Sequence, residues 1–374
     1  MYNYGNVRPG PGIGASSVPV YGDSMKKYLA LASSLAFLAC CCCSIASIGP
    51  AENAGAPEAT PVLQAETETQ PPSEPAINVP SPTPVATATP SPQPTLIPEP
   101  SPTPTPIPEP VASLSNYAPA QGQVFGFTMT NPKPGSAYEL NDSHFAAPIF
   151  PFYHDGSLAA LIPIETNVST GRHNLCVNEI TDGVSTELFM IEYDVLRSEF
   201  TRQDLTVTQE TASLMTDSNL RSDRAKIAAA KETTSPAPLW EGVFLQPLEG
   251  RITTMFGQVR YTNGNYTSRH DAFDIAAPEG TDVYAAAAGR VVLADGLFIS
   301  GNAVIIDHGL WLFTHYYHLS EILVEAGDFV SAGDIIGKVG TTGYSTGPHL
   351  HYAAMVGTSS VNPDHLKTEP LFGP

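Results

Sequence analysis

The feature that most limits how this chain can fold is a proline tract. Repeats such as Ser101-Pro102-Thr103-Pro104-Thr105-Pro106 run through residues 50–120. Proline has no N–H to give a helix or a ladder and its φ is fixed, so such runs take extended polyproline II. The tract carries several glutamates and no Lys or Arg, so it also repels itself. It reads as a semi-rigid, solvated spacer. At about 3.1 Å per residue it can reach on the order of 200 Å. Residues 1–49 are set apart on one side of it, and everything able to build a core lies in residues 121–374.

At 374 residues, the usual size of a domain suggests two domains plus extra segments. The balance of 37 acidic to 17 basic residues argues against a nucleic-acid partner, which wants a basic face. Cys40 to Cys43 are consecutive and Cys176 stands alone, so there is no disulfide framework and no paired Cys-x-x-Cys knuckle. Any zinc must be held by histidine and carboxylate.

Residues 1–49 read as a targeting device. Residues 1–24 are Gly/Pro-rich and look unstructured, which makes Met25 a second candidate start. Lys26 and Lys27 precede an uncharged run, Tyr28 to Gly49, with Glu52 and Glu58 beyond it; this orients the chain with its N-terminal side inside and the remainder outside. Three outcomes are open. The run of about 22 residues, at about 1.5 Å each, is long enough to span a bilayer as a signal anchor. Leu38-Ala39-Cys40 after a short apolar core resembles a bacterial lipoprotein signal, although Phe37 stands where leucine is preferred. Cleavage after Ser44-Ile45-Ala46 would release the chain. All three export residues 51–374. The expected location is bacterial and extracytoplasmic, tethered to the outer face of the cytoplasmic membrane by a lipid or signal anchor.

The fold class expected is all-β. In residues 121–210, short alternating segments (Val124–Thr130, Pro148–Tyr153, Leu158–Ile164, His173–Val177, Leu188–Val195) are broken by Asp155-Gly156, Thr170-Gly171 and Asp182-Gly183. They suggest a small β-sandwich, immunoglobulin-like in outline. No cluster of titratable groups is evident there; His144, His154 and His173 read as surface or loop histidines, and Cys176 as a small buried hydrophobe. Residues 211–240 form a helical connector, its helix spanning Asp217–Glu232 around an Ala-Lys-Ile-Ala-Ala-Ala-Lys core of high helix propensity. Residues 241–374 are again β-rich, with strands at Arg251–Phe256, Val283–Ala287, Arg290–Ala294, Ala303–Asp307, Leu312–Tyr317, Ile335–Val339 and Leu350–Val356.

The chemistry gathers in this last part. In Gly347-Pro348-His349-Leu350-His351-Tyr352 two histidines are one residue apart on an incipient strand, where i and i+2 share a face. Upstream, His270 and Asp274 supply a histidine and a carboxylate four apart. Along Thr314-His315-Tyr316-Tyr317-His318, strict alternation puts Thr314, Tyr316 and His318 on one face. His318 is then the groove residue and His315 the solvated one, while Tyr316 reads as a packing residue first and as a further candidate donor second. His308, in Asp307-His308-Gly309, reads as structural, and Asp271 as solvent-facing.

These pieces carry a resemblance. Phe256-Gly257, His270-x-x-x-Asp274-Ile275-Ala276-Ala277-Pro278, Gly280-Thr281-x-Val283, Gly301-Asn302, Ile306-Asp307-His308-Gly309, Tyr316-x-His318-Leu319-Ser320, Gly327-Asp328-x-Val330, Gly337-x-Val339-Gly340 and the His349/His351 stretch occur in order. Residues 250–366 resemble the catalytic domain of the M23 (LytM/lysostaphin-type) zinc metallopeptidases, which hydrolyse peptide bonds in bacterial peptidoglycan. Residues 121–245 are more weakly similar to the β-sandwich that precedes it in some members, through Ser198-Glu199-Phe200, Gln203-x-Leu205 and Leu239-Trp240-x-Gly242-x-Phe244. The resemblance implies an antiparallel LytM-type sheet with an open groove, one Zn2+ per chain on His270, Asp274 and His351, and His318 and His349 as the catalytic pair beside the zinc-bound water. Three protein ligands leave a fourth position open, as in catalytic zinc sites. His349 can take the water's proton, and His318 can steady the oxyanion or protonate the leaving amine. Ala272 stands where the family has glycine, and Ala353 where a glutamate is common.

The reading that follows is an exported, membrane-tethered zinc endopeptidase acting on stem or bridge peptides of peptidoglycan. The alternatives are a catalytically silent LytM-like wall binder or amidase activator, and a wall-binding or signalling module whose hydrolase is vestigial or which cleaves a non-wall protein. Glycoside hydrolysis is disfavoured, because no pair of carboxylates shares a comparable setting.

Overall fold

The computed structural model describes residues 108–372. The spacer and the anchor or leader expected in residues 1–49 lie outside the described residues, and among those described no helix is long and apolar enough to cross a membrane. The described part is almost entirely β, as expected.

The first half pairs two antiparallel sheets. One orders Val111–Leu114, Val124–Thr130, Ser157–Pro163 and Phe152–His154; the other orders Ala137–Asn141, Gly171–Thr181 and Val184–Val195. Period-2 alternation explains how they close. Phe125, Phe127, Met129, Leu158 and Ile162 point into one apolar cluster with Leu140, Leu175, Val177 and Tyr193 of the other sheet. The residues between them do not face water. Val124, Ala159 and Leu161 join the core of the second half, beside Trp240, Phe244 and Phe256. Gly126 sits at this junction because a Cβ there would collide with the Leu371 carbonyl and the Phe372 ring. The strand at Pro148–Tyr153 forms only from Phe152, since Pro148 and Pro151 supply no ladder donors.

Two helices follow, Gln209–Ala212 and Asp217–Ala230, each capped by a threonine side chain accepting from the backbone of its first turn (Thr208 and Thr216). The longer one starts at Asp217, where a helix was expected to start, and ends at Ala230, two residues short of Glu232. The strand Arg202–Leu205 belongs to neither sheet of the first half. It pairs in parallel with Val259–Thr262, which pairs with Asn265–Arg269, so the segment before the connector is stitched to the part after it.

The second half is built on an eight-stranded sheet. Its order is Phe329–Val330, Gly289–Leu297, Gly301–Asp307, Leu312–Leu319, His349–Val356, Phe273–Ala276 and Arg251–Thr254, with Ser359–Val361 added to His349–Val356. All pairings are antiparallel. One face (Val304, Ile306, Tyr316, Leu350, Tyr352, Ile275) forms the main core. On the other face Ala303, Ile305, Phe313 and Tyr317 make a smaller cluster against Ile227 and Ala230 of the connector helix. That helix is fastened by Asp223, whose carboxylate accepts the backbone N–H groups of Phe298 (2.8 Å) and Ile299 (2.7 Å). It covers one end of this second face.

Candidate active site

Cross-strand register brings the histidines and the carboxylate together. Asp274 lies opposite His351, and His351 opposite Tyr317, so all three project from the second face of the sheet. The four-residue strand Phe273–Ala276 was not legible as a strand, yet it delivers Asp274. His270 enters from the turn before it. Its N–H donates to the Gln258 carbonyl (2.9 Å) and its carbonyl accepts from Gly257 (2.7 Å). Gly257 has φ 78°, and a Cβ there would run into the Phe200 ring.

Three donor atoms converge. His270 Nε2 is 3.1 Å from Asp274 Oδ1, His351 Nδ1 is 2.9 Å from the same oxygen, and the two imidazole nitrogens are 3.3 Å apart. His270 Nδ1 faces the Met255 carbonyl at 3.3 Å, which can only accept. The proton therefore sits on Nδ1, and the Nε2 lone pair faces an acceptor oxygen. A shared cation resolves that confrontation. Tetrahedral zinc with bonds of about 2.0–2.1 Å requires ligand edges of about 3.3 Å, so the donor set fits zinc. His270, Asp274 and His351 are the three that could hold the ion. Burial pushes the Asp274 carboxyl up, but the adjoining imidazoles of His270 and His351 outweigh it and hold the group well below the usual carboxylate range. Burial lowers His351, with Asp274 opposing.

The remaining two histidines line the open side. His349 Nδ1 donates to the Gly347 carbonyl (2.7 Å) and His318 Nδ1 to the Thr342 carbonyl (2.8 Å), which leaves each Nε2 as a free lone pair. Their rings are 4.8 Å apart, and His318 is 5.8 Å from His351. Burial, then the neighbouring His351 and His349, push His318 down to about 3.

His318 reaches the site by a route that alternation does not provide. Thr314 and Tyr316 point into the main core, where the Tyr316 hydroxyl accepts from Thr314 Oγ1 (3.0 Å) and from the Ala286 N–H (2.9 Å); burial raises it to about 12. Tyr316 is thus not a groove donor. His318 has φ 65°, a left-handed conformation that rotates it onto the opposite face. His315, expected in solvent, is 2 % exposed, with Nδ1 2.7 Å from the Tyr317 hydroxyl. It lies beneath the connector-helix end of the second face, and burial lowers it well below the usual imidazole range. His308 is structural, as expected, held between the Ala288 carbonyl (2.8 Å) and Thr314 Oγ1 (2.7 Å). Asp271 is exposed, also as expected.

Two contributors were missed. Tyr317 lies parallel to His351, with centroids 5.6 Å apart and planes at 5°, and its cross-strand pairing would have revealed it had the sheet order been known. Arg260 Nη2 contacts Asp274 Oδ2 at 3.2 Å, and no local pattern marks it.

Residues 268–363 match Peptidase family M23. The chain carries an M23 peptidase domain. The chain is 47% identical over 93 residues to the peptidoglycan DD-endopeptidase ShyA of Vibrio cholerae, covering 25% of this chain and 22% of that protein. It is 41% identical over 123 residues to the DD-carboxypeptidase/endopeptidase Mpg of Neisseria meningitidis, covering 33% and 28%. Among solved structures it is similar to the catalytic domain of the antimicrobial peptidase lysostaphin from Staphylococcus simulans, at 32% identity and a TM-score of 0.25, covering 33% of this chain and 86% of that one. The chain thus spans less than a third of the length of these two curated relatives. M23 relatives are metalloproteases, and the His/Asp group of the M23 domain has the donors for a metal.

Proposed function

We propose that the chain is an exported zinc metalloendopeptidase that hydrolyses peptide bonds in peptidoglycan cross-links. The observation that carries this reading is the joint arrangement of the five side chains. His270, Asp274 and His351 form a three-donor group, and His318 and His349 direct free Nε2 atoms across its open side.

Held by these three residues, zinc supplies Lewis-acid activation of water at neutral pH. Everything else falls to the protein. Arg260 occupies Asp274 Oδ2, so Oδ1 stays turned toward the histidines. His349 is the more exposed of the free pair, with 16% of its side chain accessible, whereas His318 is buried. With Nδ1 committed to the Gly347 carbonyl, its Nε2 takes the proton of the attacking water. His318 Nε2, a lone pair kept neutral by burial, enters the same space from the neighbouring strand and orients the attacking water by accepting its hydrogen bond, and the proton taken by His349 passes to the leaving amine.

Similarity to enzymes named as peptidoglycan DD-endopeptidases supports stem or bridge peptides as the substrate. That substrate lies outside the cytoplasmic membrane, which agrees with the basic-then-apolar N-terminal segment and a long spacer acting as a tether. The test is turbidity loss of purified cell walls incubated with the chain, with and without a chelator. Lysis that the chelator stops and added zinc restores is the expected result; no lysis by zinc-loaded chain would refute the reading.

A further inference from the structure

The first half holds a second group of the same chemistry that peptidase activity does not use. Asp142 and His144 follow the strand Ala137–Asn141, His173 lies on Gly171–Thr181, and Tyr193 on Val184–Val195. These histidines were expected on the surface or in loops; His144 does lie in a loop, but His173 is on a strand and buried, and the Asp142 side chain is fully enclosed. His144 has only 10% of its side chain exposed. His154 alone fits the surface reading.

A proton count shows what the group lacks. His173 Nε2 is 2.8 Å from the Ser169 carbonyl, which can only accept, so Nε2 carries the hydrogen. Its Nδ1 lone pair then faces Asp142 Oδ1 at 3.3 Å, acceptor against acceptor. His144 Nδ1 is directed at the same oxygen from 2.8 Å, and its Nε2 is buried without a partner. The Tyr193 hydroxyl, 3.0 Å from Asp142 Oδ2, supplies a hydrogen bond but no positive charge. A carboxylate taken out of water is costly unless a cation meets it, and one oxygen here is shared by two imidazole nitrogens.

We propose that Asp142, His144 and His173 bind a second divalent transition-metal ion, zinc by its donor set. The edges of 2.8 and 3.3 Å to the shared oxygen match the 2.9 and 3.1 Å edges of the peptidase group. The Ser169 carbonyl on His173 Nε2 is the outer partner that metal-binding histidines ordinarily have, fixing the ring so that Nδ1 faces the ion. A shallow cleft bordered by Asn141, Ser143, Arg172 and Asn174 gives a way in. The ion would tie the loop at 142–144 to the sheet carrying His173 and Tyr193. Its role is to staple the first half, since no free base stands beside it as His349 stands beside the peptidase group.

The test is zinc content by mass spectrometry of the full chain after dialysis against metal-free buffer. Wild type is expected to keep about two ions per chain, and His270→Ala/His351→Ala, which disarms only the peptidase group, about one. Adding His144→Ala and His173→Ala to that variant should remove the last ion, and adding zinc should raise the melting temperature of the double variant but not of the quadruple one. A wild-type chain holding a single ion, or a folded double variant holding none, would overturn the proposal and would mean that a protonated His173 meets Asp142 instead.

Discussion

Arg260 grips the carboxylate of Asp274 from behind, its Nη2 3.2 Å from Oδ2, while Oδ1 faces His270 and His351. Arg260 is itself held by Gln203 Oε1 at 2.9 Å. Gln203 comes from the strand Arg202–Leu205, before the connector, so that segment braces the metal group from outside it. Removing such an outer partner ordinarily costs ~10–100-fold in metal affinity. Arg260→Met should weaken zinc binding within that range, and Gln203→Ala by less, as read by competition with a chromogenic chelator.

His318 and His349 are expected to be needed for turnover and not for zinc. Each has Nδ1 tied to a backbone carbonyl and makes no short contact to the donor triangle, His349 Nε2 being 3.8 Å from Asp274 Oδ1. His349→Ala or His318→Ala should lower kcat by ~10²–10⁴-fold, the usual worth of a positioned acid or base, with zinc content unchanged. His351→Ala should lose the peptidase zinc.

The left-handed backbone at His318 makes a separate prediction about stability. At φ 65° a Cβ is disfavoured and glycine is not. His318→Gly should therefore be more stable than His318→Ala by about 1 kcal/mol, the reverse of their ordinary order in a strand. Urea denaturation of the two variants decides it.

That same residue shows where the sequence stopped being informative. Alternation along Leu312–Leu319 selected His318 by assigning it to the face of Thr314 and Tyr316, which is the core face. His318 reaches the site because one dihedral changes sign, and nothing in Tyr316-Tyr317-His318 announces that. His349 and His351 were legible because i and i+2 share a face by covalent geometry alone, and His270 with Asp274 because a known family spacing marks them. The Asp142–His144–His173 group was illegible for the opposite reason: its members meet only through the register of Ala137–Asn141 on Gly171–Thr181, a pairing with no local trace. The strand Ala137–Asn141 was itself missed, although Tyr138 and Leu140 alternate with Glu139 and Asn141 along its five residues.

Lys231, just beyond the connector helix, gives a pH dependence. Burial lowers its ammonium from 10.5 to about 8, although its Nζ donates to the Gly357 carbonyl at 2.7 Å and lies over the Phe313 ring. Between about pH 8 and 10.5 the unfolded chain keeps a proton that the folded chain has given up, so this group makes stability rise with pH across that window. Below it both states are protonated and the burial penalty is fully felt. Lys231→Met should abolish the rise and leave the chain at least as stable as wild type at neutral pH, as measured by urea midpoints across the window.

Asp223 accepts two backbone N–H groups at the 298–299 turn, next to Ser300, whose carbonyl receives the His318 N–H at 2.9 Å. Hydrogen bonds to a charged group are worth ~1.5–3 kcal/mol each. Asp223→Ala should lower stability by about 2 kcal/mol or more and reduce kcat by displacing His318, while zinc binding is retained; denaturation and steady-state kinetics on one preparation separate the two effects.

The most direct measurement is mass analysis of the fragments released from purified peptidoglycan by the zinc-loaded chain, beside Asp274→Ala. Fragments with a new amino and a new carboxyl terminus at a peptide bond, intact glycan, and no release by the variant are expected. Cross-links left whole by zinc-loaded wild type, or cuts in the glycan, would contradict the assignment of His270, Asp274, His351, His318 and His349 to peptide-bond hydrolysis.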